Sequence, residues 1–119
     1  MCKIAVICSP TFRSKQEVKL LNIFKKRDPN IGKGSIQFIE TNKRAELVSQ
    51  QIVALNPEEV FAADVSVGMA NIYYAQVSVS LTGSSDRVMP FIKLKCKNPN
   101  GDLHPNIRTI GSIEHLKDL

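Results

Sequence analysis

The N-terminal part of the chain predicts a buried strand followed by an amphipathic helix. Residues 3–9 are almost entirely apolar and rich in β-branched side chains, which is the pattern of a strand buried on both faces. Ser14 and Glu17 have capping-box spacing, in which the hydroxyl accepts a backbone N–H and the carboxylate reaches back to the cap. We therefore predict a helix that begins after Ser14, runs to about Arg27 and has a wide apolar face.

A second strand and a second helix are predicted next. Residues 35–40 form the strand, and Thr41 or Asn42 is the predicted N-cap of the helix. Apolar residues recur through this helix at helical spacing, at Ala45, Val48, Ile52 and Leu55. The Asn-Pro pair in segment 56–59 is expected to end it, although the same segment is also a good helix start.

The second half of the chain changes from helical spacing to alternation. Residues 60–67 are predicted to form a strand, and apolar and polar side chains alternate through 72–81 and again through 88–97. Residues 107–110 form a predicted last short strand, and Ser112 caps a predicted short terminal helix. Because short runs of turn residues join successive strands, this half is expected to be an antiparallel meander.

These elements predict one domain that spans residues 1–119 and belongs to the α/β or α+β class. We expect a single mixed sheet, with the order β-α-β-α followed by the antiparallel β-meander and a possible short C-terminal helix. The length allows one core, since domains are most often about 100–150 residues long. The composition, 43% hydrophobic and 23% charged, is typical of globular proteins.

Several classes of protein are disfavoured by the same sequence. No apolar run approaches the roughly 18 residues of a membrane-spanning helix, and the run at 4–8 is too short for a signal peptide, so we expect a cytoplasmic protein. The cysteines, Cys2, Cys8 and Cys96, are odd in number and form no disulfide framework. Together with His104 and His115 they offer no zinc spacing, and we expect neither a metal nor a cofactor.

The net charge of +5 is unevenly distributed along the chain. Residues 1–44 carry ten basic and three acidic side chains, which gives +7. Residues 45–85 carry no basic and four acidic side chains, and residues 86–119 carry six basic and four acidic ones, which gives −4 and +2. Two basic segments therefore flank a middle without lysine or arginine, and such asymmetry bears on the choice of partners rather than on the fold.

The loop between the first strand and the first helix is the first candidate site. Ligands of open α/β sheets bind at the carboxyl ends of the strands, where a helix N-terminus presents free N–H groups. Ser9, Thr11 and Ser14 supply hydroxyl groups there, and Arg13 can hold a phosphate bidentately. Cys8 would be nucleophilic if the helix lowered its pKa. The alternative is that Cys8 is a small buried side chain that ends the strand.

This loop resembles the phosphate loop of low-molecular-weight tyrosine phosphatases, in which a cysteine precedes an Arg-Ser pair. In that family five residues separate the cysteine from the arginine, whereas four separate Cys8 from Arg13 here. The family's general-acid aspartate has no identifiable counterpart in this sequence. A cysteine after a first strand also resembles the phosphocysteine carriers of the sugar phosphotransferase system, although Pro10 and Phe12 interrupt what is a small-residue loop in those proteins. These resemblances imply an enzyme or phosphoryl carrier that uses Cys8, which is our alternative functional hypothesis.

A lysine ladder is the second candidate site. Lys93, Lys95 and Lys97 would line one face of a strand about 7 Å apart, which approaches the phosphate spacing of a nucleic-acid strand. Arg108 would extend this basic face if its strand pairs alongside. The alternative is that the lysines protect an exposed or edge strand against aggregation.

Other residues are assigned ordinary structural roles. Lys15, Lys19 and Lys26 form a stripe that is expected to be a solvated helix face. In the predicted strand 72–81, Tyr73 and Tyr74 are adjacent and should point to opposite faces, so that one is buried and the other is exposed. Asp64 lies within the predicted strand 60–67 and is the one acidic residue that could be buried, although a hydrogen-bonded aspartate at a strand end is the more common explanation.

The sequence thus favours a small cytoplasmic binding protein for an anionic, phosphate-bearing partner that it does not transform. A nucleotide, a nucleotide second messenger and RNA are all candidate partners. The ligand would be bound by Ser9, Thr11, Arg13 and Ser14 and by the basic face of Lys93, Lys95, Lys97 and Arg108. The alternatives are the Cys8-dependent enzyme or carrier, and a structural interaction protein without a small ligand. A small sheet whose core has no tryptophan also favours a homo-oligomer.

Overall fold

Strands and helices alternate along the chain from Ile4 to Leu94. A computed structural model describes residues 2–83, 89–94 and 103–118. The strands are β1 (Ile4–Cys8), β2 (Ile36–Glu40), β3 (Glu59–Ala62), β4 (Phe91–Leu94) and β5 (Ile107–Ile110). The helices are α1 (Pro10–Arg27), α2 (Ala45–Leu55) and α3 (Val67–Thr82), with short 3-10 segments at Lys33–Ser35 and Ile113–Asp118.

Within these residues the strands form one five-stranded sheet in the order β2-β1-β3-β4-β5, and all of its pairs are parallel. This is the strand order of flavodoxin-like doubly wound sheets. The prediction of an α/β fold with a single sheet is confirmed. The predicted antiparallel meander is wrong, because parallel neighbours need a long crossover and α3 supplies the one between β3 and β4.

The segment predicted as a strand over 72–81 belongs to helix α3. Its side chains are buried at helical spacing, at Ala70, Tyr73, Tyr74, Val77 and Ser78. Ser66 caps the helix by accepting the N–H of Met69 at 3.2 Å, and Gly83 ends it in the left-handed conformation, at φ 73°. The alternation in the sequence arises because Gln76, Ser78 and Ser80 fall between apolar residues, although Ser78 is buried.

Both faces of the sheet are covered by helices. Helix α1 packs with the terminal 3-10 helix on one face, while α2 and α3 pack together on the other. Successive strand residues therefore enter different cores: Val6 and Phe61 lie in the core beneath α1, whereas Ala5 and Val60 lie in the core beneath α2 and α3. A parallel sheet that is covered in this way buries both faces of its central strands, whereas residues of the edge strands, such as Gln37 and Arg108, remain exposed.

Helix α1 begins five residues earlier than the capping-box pattern predicts. Pro10 occupies the first helical position, where a missing N–H costs nothing, and Ser9 is the N-cap. The predicted cap Ser14 lies inside the helix and is exposed. Helix α2 begins after Arg44 rather than directly after Thr41 or Asn42. The predicted strand 107–110 and the short terminal helix after Ser112 are present.

Replacing Ser9 with alanine is expected to destabilise the protein by about 0.5–2 kcal/mol, the usual cost of removing an N-cap hydroxyl. Replacing Ser14 with alanine should change the free energy of unfolding by less than about 0.5 kcal/mol, because alanine is a better helix former at an exposed interior position. Urea denaturation of both variants measures the difference. A larger loss of stability in the Ser14 variant than in the Ser9 variant would contradict the assignment of Ser9 as the N-cap of α1.

Candidate functional site at the carboxyl edge of the sheet

The candidate site is the region between the loops that follow the neighbouring strands β1 and β3, which we call the crevice because of its place in the sheet topology. The chain leaves β1 into α1, on one face of the sheet, and leaves β3 into α3, on the other. The two connections therefore diverge between these neighbouring strands, which is the position where open α/β sheets bind ligands. The loops are held close to the end of β1, since Thr41 donates its N–H to the carbonyl of Cys8 at 3.0 Å and Ala63 donates to that of Ile7 at 2.8 Å.

A side-chain hydrogen bond joins the two sides of this crevice. The Ser9 hydroxyl accepts the N–H of Phe12 at 3.1 Å as the cap of α1, and it donates to Oδ2 of Asp64 at 2.5 Å. Asp64 follows β3 and is exposed. The two partners orient the Ser9 hydroxyl, and the exposed carboxylate of Asp64 retains acceptor capacity toward solvent.

Arg13 is held at the end of β2 by two carboxylates. Its Nε donates to Glu17 at 2.8 Å and its Nη1 donates to Glu40 at 3.1 Å, while the guanidinium lies 5.2 Å from the centre of the Phe38 ring. The hydrogen bond that Arg13 donates to Glu17, together with the weaker effect of Glu40, raises the pKa of Arg13 above its usual value. The Arg13 side chain is 39% exposed, and its Nη2 group, which donates to neither of these carboxylates, is the part of the fork assigned to a ligand.

Two helix N-termini also open at this edge. Ser9 caps α1, which is 18 residues long, and Ser66 caps α3, which is 16 residues long. The first amides of a helix have no intrahelical acceptor, and the helix dipole gives this end a partial positive charge. In α1 the proline at position 10 has no N–H and Phe12 donates to the cap, so Thr11 provides the outward amide together with an exposed side chain.

Cys8 ends β1 inside the core beneath α1. Its side chain is fully buried, and this burial raises the pKa of the thiol to about 11. A nucleophilic cysteine instead needs access to solvent and a lowered pKa. The position of Cys8 therefore fits the role of a small core side chain that ends a strand.

The thiol of Cys8 is expected to resist alkylation in the folded protein at pH 8. Its thiolate fraction stays small until the pH approaches about 11, and burial restricts access of the reagent. Peptide mass spectrometry after iodoacetamide treatment distinguishes the three cysteines, and unfolding in urea is the positive control. Rapid modification of Cys8 with an apparent pKa near its ordinary value would restore the enzyme hypothesis.

Lys93, the member of the lysine ladder that the structure describes, is not on a solvent-exposed strand face. Lys93 is 1% exposed, and its ammonium donates to the carbonyl of Leu94 at 2.8 Å. Arg108 is exposed, but it stands opposite Ile92 in the register and therefore leaves the face of the sheet opposite to Lys93. Lys95 and Lys97 lie outside the described residues. The expected exposure of Lys93 is wrong because both faces of the parallel sheet are covered.

The tyrosine pair is also placed differently from the prediction. Tyr73 and Tyr74 are both buried, at 1% and 0% exposure, because adjacent residues of a helix can share a wide buried face. The hydroxyl of Tyr74 accepts a hydrogen bond from the side chain of Asn106 at 3.1 Å, and its ring lies 4.5 Å from that of His104. Neither ring is available to stack on a base.

The lysines of α1 line a groove against the terminal 3-10 helix. The groove has a volume of about 560 Å³. Its lining includes Lys15, Lys19, Lys26, Lys117 and Glu114. Lys19 forms a hydrogen-bonded ion pair with Glu114, and the hydrogen bond from Lys19 lowers the pKa of the Glu114 carboxyl to about 2. The predicted solvated stripe is thus partly neutralised by an acidic residue, and it lies on the side of α1 rather than at its N-terminus.

Sequence reasoning missed three polar residues of the carboxyl edge. Glu40 ends β2, and Asp64 and Ser66 follow β3. Asp64 thus agrees with the alternative of a hydrogen-bonded aspartate near a strand end rather than with a buried one within the strand. Ser66 at the start of the uncharged helix α3 and Gly83 at its end are the signals for this helix, and they place Asp64 in the preceding loop. The pairing of β1 with β3 carries no local signal in the sequence.

Comparison with known proteins supports the fold of this chain but not a family or an activity. No family model matches the chain, and a search of curated proteins finds no match. A 3-dehydroquinate dehydratase-like protein from Bifidobacterium longum has a similar solved structure, with a TM-score of 0.56 and 16% sequence identity. The match covers 98% of this chain and 91% of that one. In the described part of this chain, no helix is long and apolar enough to cross a membrane.

Proposed function

We propose that this chain is a cytoplasmic, non-catalytic binding protein for a mononucleotide or a closely related small phosphate-bearing ligand. The observation that carries the proposal is the Ser9–Asp64 hydrogen bond at the point where the connections of β1 and β3 diverge. It places an oriented hydroxyl and an exposed carboxylate between two capped helix N-termini. Donors and acceptors are thus combined in one crevice, as a ligand with both hydroxyl and phosphate groups requires.

The two ends of such a ligand have different partners in this crevice. Asp64 can accept hydrogen bonds from the hydroxyl groups of a ribose, since an acidic residue serves this purpose in other doubly wound sheets. The phosphate is assigned to the first turn of α1, with the amide and hydroxyl of Thr11 and the Nη2 group of Arg13. Glu17 and Glu40 already neutralise much of the charge of Arg13. Oriented N–H groups are therefore expected to contribute more to phosphate binding than the net charge of the site does.

A small ligand is favoured over RNA by the positions of the basic residues. RNA binding at the predicted basic face would need a row of exposed cations there, whereas Lys93 is buried and Arg108 leaves the opposite face of the sheet. The exposed lysines of α1 line a groove on the side of that helix, whereas Ser9 and Asp64 are joined at the carboxyl edge. The affinity of this protein for its ligand is therefore expected to depend only weakly on salt concentration, in contrast to the steep dependence of a protein that neutralises many phosphates.

Calorimetric titration with the four common 5′-mononucleotides, the matching nucleosides and inorganic phosphate tests this proposal. At least one mononucleotide should bind more tightly than its nucleoside and more tightly than phosphate, because two parts of the ligand are recognised. The affinity should fall less than about tenfold between 50 and 200 mM salt, where extensive phosphate contacts would lose about a thousandfold or more.

Two other results would overturn the proposal. Binding of a single-stranded RNA with a steep salt dependence, without binding of mononucleotides, would favour RNA. Failure of every small ligand, together with the absence of any co-purifying small molecule in native mass spectrometry, would favour a purely structural protein.

A further inference from the structure

The solvent-facing side of α3 has no charge and a row of apolar residues. The helix has no charged side chain, and the surrounding segment 65–85 has none either. Its exposed row consists of Gly68, Ile72, Ala75 and Val79. Ile72 is 42% exposed and Val79 is 50% exposed. A surface helix normally has polar and charged residues opposite its buried face, so this second apolar face is expected to be covered by a partner.

We propose that a second copy of this chain covers this face, with the two α3 helices packed antiparallel about a two-fold axis. The charge distribution supports this choice of partner. Each copy has a net charge of +5, so most contacts between copies would bring lysines and arginines together. Segment 45–85 has none of these residues, and α3 has neither sign of charge. The two α3 helices therefore meet without repulsion between lysines and arginines, whereas a charged partner forms no ion pair with this helix.

The spacing of the row supports the antiparallel arrangement. Intervals of four, three and four residues form the seam of helices that pack at a small crossing angle. When the two-fold axis passes between Ile72 and Ala75, Ile72 of one copy faces Ala75 of the other. Val79 of one copy then faces Gly68 of the other. Every layer of the contact pairs a large side chain with a small one, which is the complementarity that close packing needs.

A groove beside the row gives the contact a concave part. It lies between α2 and α3, has a volume of about 380 Å³ and shares Ala75 and Val79 with the row. The other residues that line it are Glu46, Ser49, Gln50, Gln76 and Ser80. Ser49 donates to Gln76 across the groove at 2.6 Å, so its floor is fixed. Polar side chains, with Glu46 as the charged one among them, thus border the apolar row, as at the rim of a protein interface.

Sedimentation velocity over about 1–200 μM protein tests the proposal. The natural chain should sediment with twice its 13.2 kDa mass at the upper end of this range. Ile72→Lys and Ala75→Glu should each raise the dissociation constant at least tenfold, because each buries an unpaired charge in the contact. An equimolar mixture of these two variants should form dimers again, since the introduced ammonium group of one copy faces the introduced carboxylate of the other.

Val18→Lys is the matched control. Val18 is a valine on α1 that is 70% exposed, and its replacement adds the same charge outside the proposed contact. The variant should dimerise like the natural chain. Circular dichroism and urea denaturation of each variant show whether it is folded, so that loss of the dimer is separated from loss of the fold.

Each contrary result identifies the part of the proposal that fails. A natural chain that stays monomeric throughout would overturn the proposal and leave the face to a different uncharged protein. Dimerisation of Ile72→Lys like the natural chain would place the contact elsewhere. Restored dimers in a mixture of Ile72→Lys with Ile72→Glu, but not with Ala75→Glu, would exclude the antiparallel register. None of these results bears on nucleotide binding at the carboxyl edge.

Discussion

Replacing Phe61 with alanine is expected to lower the free energy of unfolding by about 3–5 kcal/mol, the usual cost of removing a large buried aromatic side chain. Phe61 lies on β3, the central strand of the sheet, and is 1% exposed. Its ring meets that of Phe24 edge to face, with 6.3 Å between the ring centres, and thereby joins the sheet to α1. Because a domain of this size has a stability of only about 5–15 kcal/mol, this loss would be a large part of the total.

Urea denaturation of the Phe61→Ala variant measures this cost, and Phe38→Ala is the matched control. Phe38 lies on the edge strand β2 and is only half-buried, so its replacement should cost less than half as much. If the Phe61→Ala variant does not fold, Phe61→Leu provides the measurement, with an expected cost of about 1–2 kcal/mol. Equal costs for Phe61→Ala and Phe38→Ala would contradict the central position of β3.

Replacing Asp64 with alanine is expected to weaken mononucleotide binding about 10- to 100-fold, since a hydrogen bond to a charged group contributes about 1.5–3 kcal/mol. The substitution removes the exposed carboxylate assigned to the ribose hydroxyl groups and the acceptor of the Ser9 hydroxyl. The fold should be retained, because Ser9 still accepts the N–H of Phe12 and the side chain of Asp64 is exposed. Calorimetric titration of the variant measures the affinity.

Glu58→Ala is the control for this experiment. Glu58 is an exposed carboxylate at the opposite, amino end of β3, where its N–H donates to the carbonyl of Lys3 at 2.9 Å. Its loss changes the net charge equally but should leave the affinity unchanged. Equal effects of the two substitutions would indicate that long-range charge, rather than the crevice, determines binding.

The first half of the fold could be predicted from the sequence because each element has its own periodicity. The apolar run of β1 and the spacing of Val48 and Ile52 in α2 distinguish a buried strand from an amphipathic helix. Helix α3 could not be recognised in this way, because it has no charged residue to mark its solvent face. Its row of exposed apolar residues, including Ile72 and Val79, produced an apparent alternation instead. The absence of charged residues from α3 thus explains why a strand was predicted over residues 72–81. The same absence supports the proposed dimer contact.

Only the part of the candidate site that lies in the connection between β1 and α1 could be predicted from the sequence. Ser9, Thr11 and Arg13 lie where β1 leads into α1, a connection that the sequence pattern predicts. Asp64 is 55 residues away from Ser9, and it joins the site only because β3 pairs with β1. The expected exposure of Lys93 failed for a related reason, since the burial of a strand face depends on whether its neighbours are parallel.

A titration of ¹⁵N-labelled protein with a mononucleotide, followed by amide chemical shifts, is the most direct test of binding at the carboxyl edge. The amides of Ser9, Thr11, Asp64 and Ser66 should change most, because they surround the crevice between β1 and β3. Changes concentrated at Lys15 and Lys26 would place the ligand in the groove along α1. Changes at that groove, or no changes at millimolar nucleotide, would contradict nucleotide binding at the carboxyl edge.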